Sequence, residues 1–221
     1  MALKVFDYRR DVRNIVVTPE IRGRFLRMEP GQVANRHSHD LGHEMFLILS
    51  GQCEFEIEGE RAILGPGQAC FARRDELHQV RCVGDEPMTM YLSVTPHIDP
   101  THTFWTADPK DGGVKERPRY AGWRSAAQDG IAIPSEPVGD IVKDHLAALR
   151  ALADIVSASV RAQEVAADNV DRATHDGNRE ATRDALDAIW KEMYPILKAT
   201  STLSEAWNTL ALKVGSELRP D

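Results

Sequence analysis

The chain has 221 residues, 42% of them hydrophobic and 28% charged, with a formal net charge of −7. That length accommodates one generous domain, or one compact domain with a smaller appendage, and the composition is that of an ordinary globular protein. The negative balance excludes a nucleic-acid partner, whose phosphates require a basic surface, and docking on anionic membranes.

In chain order, the N-terminal MALKVFDYRRDVRNIV lacks the uninterrupted apolar stretch of a signal peptide. Residues 1–95 then alternate and turn like an all-β domain. Arg22 to Met28, Met45 to Leu49, Cys53 to Glu58, Gln68 to Ala72, His78 to Val83 and Met88 to Val94 read as strands. Turn signals separate them, including Ser50-Gly51, Gly65-Pro66-Gly67 and Gly84-Asp85. Many short strands at even spacing predict a closed barrel or sandwich. The longest apolar runs, such as Met45 to Leu49, are too short to cross a bilayer. Cys53, Cys70 and Cys82 form no C-x-x-C pair and read as free thiols of a reducing cytoplasm.

Residues 96–137 are proline-rich and read as an irregular connector packed on the barrel, anchored by Phe104, Trp105, Tyr120 and Trp123. Residues 138–221 are rich in helix formers. Val142, Leu146, Leu149, Ala153, Val156 and Val160 recur at helical spacing, as do Leu186, Ile189, Met193 and Ile196. The break at Thr174 to Asn178 predicts a helical hairpin whose stripes pack on each other or on a second subunit. Pro195 is expected to kink or end the second helix, with Ser201 or Ser204 capping a short third one. These helices are too long, acidic and alanine-rich for a DNA-binding helix-turn-helix.

The densest chemistry lies in GQVANRHSHDLGHEMFLILSG, Gly31 to Gly51. Its pattern, G-x5-H-x-H-x4-E-x6-G, resembles the first motif of the cupin family at every defined position: Gly31, His37, His39, Glu44 and Gly51. Residues two apart on an extended strand share a face, so His37 and His39 can both enter a barrel. The second cupin motif is kept in spacing and in part in identity. Gly67 and His78 are present, while Arg73, Asp75 and Cys82 replace its proline, second glycine and asparagine. The likeness spans roughly residues 20–95, with a short intermotif segment like that of compact bacterial cupins.

The resemblance implies a mainly β fold, a cupin-type double-stranded β-helix, followed here by the helical extension. It also implies a metal held by His37, His39, Glu44 and His78, with Glu44 able to act as a base. Three imidazoles and a carboxylate suit one divalent transition metal ion, Fe(II) first, with Mn, Ni or Zn as alternatives, and leave two octahedral positions open. The function implied is a dioxygenase of a small organic substrate. The alternatives are a non-redox isomerase or lyase and a sensory barrel without catalysis.

Arg36 is a candidate for meeting an anionic substrate at the barrel mouth. Phe46, Ile48, Phe55 and Val80 share parity with a ligand or an apolar face and are candidates to touch the substrate. Tyr91 and Ser93 share one face of the last strand and could offer a hydrogen bond. His43 is expected to face away from Glu44. His97 and His102 read as solvated loop histidines or parts of a lid, and His145 and His175 have no partner at ligand spacing. Small cupins commonly dimerise, so a cytoplasmic homodimer is expected.

Overall fold

The computed structural model describes residues 3–120 and 132–218, so the expected anchor Trp123 lies outside the described residues. Among the described residues, eight strands form two antiparallel sheets. They are β1 (Asn14–Val17), β2 (Arg22–Met28), β3 (His43–Ser50), β4 (Gln52–Ile57), β5 (Glu60–Leu64), β6 (Ala69–Ala72), β7 (His78–Val83) and β8 (Met88–Thr95). One sheet has the order β1-β2-β8-β3-β6 and the other β5-β4-β7. This is the double-stranded β-helix that the motifs imply. Phe46, Ile48, Cys53, Phe55, Val80, Cys82, Met88, Met90 and Leu92 fill the space between the sheets.

Strand parity sets which side chains enter. In β8, Met90, Leu92 and Val94 are buried, and β2 pairs with it so that Arg22, Arg24, Leu26 and Met28 stand opposite Val94, Leu92, Met90 and Met88. Two strands, β1 and β5, were not among those read from the sequence. β5 follows β4 through a two-residue hairpin in which Glu58 and Gly59 both have positive φ, 51° and 88°, the geometry of a type I′ turn. Gly51 at the end of β3 has φ 70°, and a Cβ there would lie 2.6 Å from the Met88 Cα, so only glycine fits this reversal. The three cysteines are free.

The connector is stitched to the barrel. Ser38 and Thr103 exchange backbone hydrogen bonds of 3.0 and 2.8 Å, and the Trp105 indole donates to the Ser38 hydroxyl at 3.1 Å.

The chain divides into two compact units, Met1–Pro134 with Ala211–Asp221, and Ser135–Leu210. The second is built from α1 (Val138–His175) and most of α2 (Arg179–Glu217). The Asn178 side chain caps α2 by accepting from the Ala181 amide at 3.1 Å. The expected third helix is not separate. α2 runs through Pro195 and Ser201 to Glu217, because proline forfeits one backbone hydrogen bond and its fixed φ is itself helical.

A second correction concerns the helical stripes. The residues that α1 buries are Ile141, Ser159, Ala166 and Ala173, one step off the stripe expected to pack. The larger Leu146, Leu149, Val156 and Val160 are left exposed, so of the two expectations for this stripe, packing on the other helix is the one the burial pattern does not follow. No helix among the described residues is long and apolar enough to cross a membrane.

Candidate metal centre

Backbone pairing brings the first two imidazoles together. Residues 31–37 lie antiparallel to β7, with the Ala34 amide donating to Val80 at 2.8 Å. His37 and His78 exchange backbone hydrogen bonds of 3.1 and 2.9 Å. The two rings therefore leave one face side by side, with centroids 4.4 Å apart. His39 follows two residues on. Glu44 comes from the other sheet, where β3 sets it opposite Val94 and Ala72.

The four side chains converge. The Oε2 atom of Glu44 lies 2.9 Å from His39 Nε2, 3.1 Å from His78 Nε2 and 3.8 Å from His37 Nε2. One donor atom from each of the four residues falls within 4.8 Å of all the others. His39, Glu44 and His78 are fully buried.

The opposite edges of the rings fix their orientation. His37 Nδ1 is 2.8 Å from the Asn35 carbonyl and His78 Nδ1 is 2.9 Å from that of Glu76, while His39 Nδ1 meets the Thr101 carbonyl. A carbonyl only accepts, so each Nδ1 carries the proton and each neutral ring turns the lone pair of Nε2 toward Glu44. Three lone pairs and a carboxylate facing one point repel one another unless a cation or added protons lie between them. His37 Nε2 is buried without a hydrogen-bond partner. The donor set thus fits a divalent transition metal.

Burial opposes ionisation of Glu44, but the charge of His39 and hydrogen bonds from His37, His39 and His78 hold its carboxyl well below the usual carboxylate range. Burial lowers His37. Burial also opposes protonation of His78, but the hydrogen bond and charge of Glu44, joined by the contacts with Glu76, together raise it. These directions describe the metal-free site, in which protons take the place of the cation.

A cavity of about 930 Å³ opens from this cluster. His37, Glu44, Phe46, Val80, Met90 and Leu92 line it, so the expected Phe46 and Val80 do reach the site. Phe55 does not; it packs behind Phe46, with ring centroids 4.8 Å apart. Tyr91 also misses the cavity. Its odd parity in β8 sends it to the outer face, against Phe25 at 6.0 Å. Ser93 shares that parity. Arg36 is paired with Glu56 and, at 3.1 Å, with Asp108, beside a separate cavity of about 370 Å³. His43 faces outward and accepts from the Arg74 amide at 3.2 Å.

His102 lies 4.7 Å from the His37 ring and 5.0 Å from that of His39, stacked on Phe104. Burial, then the neighbouring His37 and Arg22, hold it neutral, well below the usual histidine value. Of the two expectations for the loop histidines, solvation does not hold for His102, which lines the cavity, or for His97, which is buried and lowered to about 3 by desolvation and then by Arg22. Arg22 and Arg24 also line the cavity and were not among the expected site residues. Their signal was present in β2, where two charges occupy the same parity as Leu26 and Met28.

Residues 24–95 match the family model described as the cupin domain. The polyketide synthase CurC of Streptomyces cyaneus is 30% identical over 69 residues, 31% of this chain and 45% of that protein. The pectin degradation protein KdgF of Dickeya dadantii is 36% identical over 50 residues, 23% of this chain and 46% of that protein. The chain thus spans less than half the length of these curated relatives. Among solved structures, a double-stranded β-helix protein from Klebsiella pneumoniae is 22% identical with a TM-score of 0.41, covering 43% of this chain and 91% of that one. KdgF from Halomonas sp. is 24% identical with a TM-score of 0.37, covering 40% and 79%.

Proposed function

We propose that this chain, whose residues 24–95 match the cupin domain, is a metal-dependent enzyme acting on a small organic molecule inside the barrel, and that its reaction is a dioxygenation. The observation that carries the reading is the convergence of three Nε2 atoms and one carboxylate, with every Nδ1 held by a backbone carbonyl. When bound by His37, His39, Glu44 and His78, a divalent metal such as Fe(II) would supply a Lewis acid and a redox partner for dioxygen.

The chain's own residues do the rest. Phe46, Val80, Met90 and Leu92 give the substrate an apolar wall and exclude water, which strengthens every polar contact inside. Glu44, on the cavity wall, is the carboxylate that can accept a substrate proton. His102 on the same wall adds a nitrogen that can hydrogen-bond the substrate. A carboxylate and an imidazole beside one cavity also suit a further reading, in which the same site runs a non-redox isomerisation or elimination by proton transfer.

Metal analysis of the purified protein tests the shared premise. One equivalent of iron, manganese, nickel or zinc per chain is expected, lost in His37→Ala and His78→Ala. Oxygen uptake by the iron-loaded protein across small catechols, diketones and thiols then separates the two chemistries. Substrate turnover without oxygen uptake sinks the dioxygenase. A wild-type protein that takes up no transition metal on reconstitution sinks both.

A further inference from the structure

The strongest charges in the cavity belong to no ligand of the metal. Arg22 and Arg24 stand on the inner face of β2, buried to 2% and 6% exposure, and both line the cavity that holds His37 and Glu44. They are two positions apart on one strand, so their Cα atoms are separated by roughly 6.6 Å. Gly23 between them faces the other way, toward Tyr91 and Val16.

Burying a guanidinium is costly unless it is paired, and arginine is rarely fully buried without a partner. The charged lining residues are Arg22, Arg24, Arg27, Arg117, Arg119 and the single carboxylate Glu44. This is the reverse of the chain as a whole, which carries −7. Arg27 and Arg119 have exposed partners in Glu29 and Glu116. Arg22 has Glu44 and Asp99 acting in its favour and Arg24 acting against it, and its Nε is buried without a hydrogen-bond partner. Two buried guanidiniums and a divalent ion outweigh Glu44 and Asp99 by two positive charges.

From this we infer that Arg22 and Arg24 form an oxyanion subsite, and that the substrate is a small organic anion, a carboxylate or phosphate ester, whose charged end lies on β2 while its reacting end reaches the metal. The inference rests on the metal-dependent reading for its charge surplus. A planar guanidinium offers paired N–H donors that match two oxygens of such a group. The remaining wall, Leu26, Met28, Met90 and Leu92, suits a short hydrocarbon body between the two polar ends. Glu44 also faces the imidazoles, so an anionic ligand would take up the remaining positive charge and the unpartnered Nε of Arg22.

The test uses metal-loaded protein, its metal content measured for every sample, and calorimetric titration with butyrate, propyl phosphate and the neutral isostere butyramide. At least one anion is expected to bind ten-fold or more tightly than butyramide, and the tighter of the two identifies the oxyanion. Arg22→Met and Arg24→Met are expected to bring that ratio within about two-fold while metal content holds. Should a methionine variant fail to fold, Arg24→Lys keeps the charge, loses the fork, and is expected to lower the ratio about three-fold. Anions no tighter than butyramide in the wild type, or a ratio that survives the substitutions at full metal content, overturn the subsite. If the wild type holds no metal, the metal-dependent reading fails on that measurement. The anion ratio, still measured on that protein, then decides the subsite separately.

Discussion

The two units of the chain invert each other's solvent logic. The barrel takes arginines, histidines and a carboxylate into its interior and leaves apolar Met45, Phe71 and Ile63 on its outside. The helical unit buries little more than alanine and serine at its seam and exposes Leu146, Leu149, Val156 and Val160 on α1, with Leu186, Trp190, Tyr194 and Leu197 on α2. A polar interior is costly and persists where chemistry uses it. An apolar exterior persists where something covers it. The barrel therefore reads as the working part and the hairpin as an assembling part.

The largest effect expected on the barrel side is the loss of metal from His78→Ala. That ring is fully buried between Glu44 and the Glu76 carbonyl, and removing it is expected to weaken metal binding at least a hundred-fold, read by competition with a chromogenic chelator. Stoichiometric metal held at unchanged affinity would remove His78 from the ligand set. Next is Phe46→Ala, which empties the wall between the cavity and Phe55. A stability loss of about 3–5 kcal/mol is expected in urea unfolding. A loss below about 1 kcal/mol would mean that the cavity already tolerates that space.

On the helical side, the exposed stripes each lie one residue beyond their helix's buried seam. In an antiparallel hairpin that offset turns both stripes to the same side. His145 and Trp207, from opposite ends of the pair, are in ring contact at 5.8 Å, as antiparallel helices require. Leu146 to Val165 spans about 29 Å of helix, and two helices are roughly 20 Å wide, giving about 600 Å² per copy, enough for the low end of stable dimers. Two copies are expected to pair face to face as a four-helix bundle. Sedimentation of the wild type should give a dimer, and Leu186→Ser with Trp190→Ser a monomer of unchanged metal content. A monomeric wild type breaks the contrast.

The smallest effect concerns pH. Desolvation, then Arg22, holds buried His97 at about 3. Its folded value lies below the unfolded one of about 6.5, so the unfolded state gains the proton first and stability falls as pH drops through that window. Between pH 7 and 5 the group should cost about 2 kcal/mol, and His97→Gln should flatten the urea-derived profile of the metal-free protein by that amount. Parallel profiles for the two proteins would place the pH sensitivity in the ligand histidines.

The convergence of His37, His39, Glu44 and His78 was legible because their spacing resembles the cupin motifs, and Gly51 because a reversal against Met88 admits no side chain. The β strands were legible for a similar local reason, since alternation and turns are written residue by residue. His102 was not, because nothing near it in sequence reveals that Thr103 pairs with Ser38 and draws the loop onto the site. Tyr91 and Arg36 were misplaced on the same ground. Parity tells which residues share a face, but only the pairing of β8 with β2 and β3 decides which face is inside, and only Glu56 and Asp108 decide where Arg36 is held. The helices repeat the lesson in a different form. Their periodicity offered one stripe in each helix, and the residues that α1 buries, Ile141, Ser159, Ala166 and Ala173, lie one position away from it. The sequence by itself determined six of the eight described strands, the four side chains that converge and the helical hairpin, because those depend on local spacing and residue chemistry. The cavity, its buried arginines and the exposed helical face were decided by tertiary structure, because each depends on which surfaces distant segments cover.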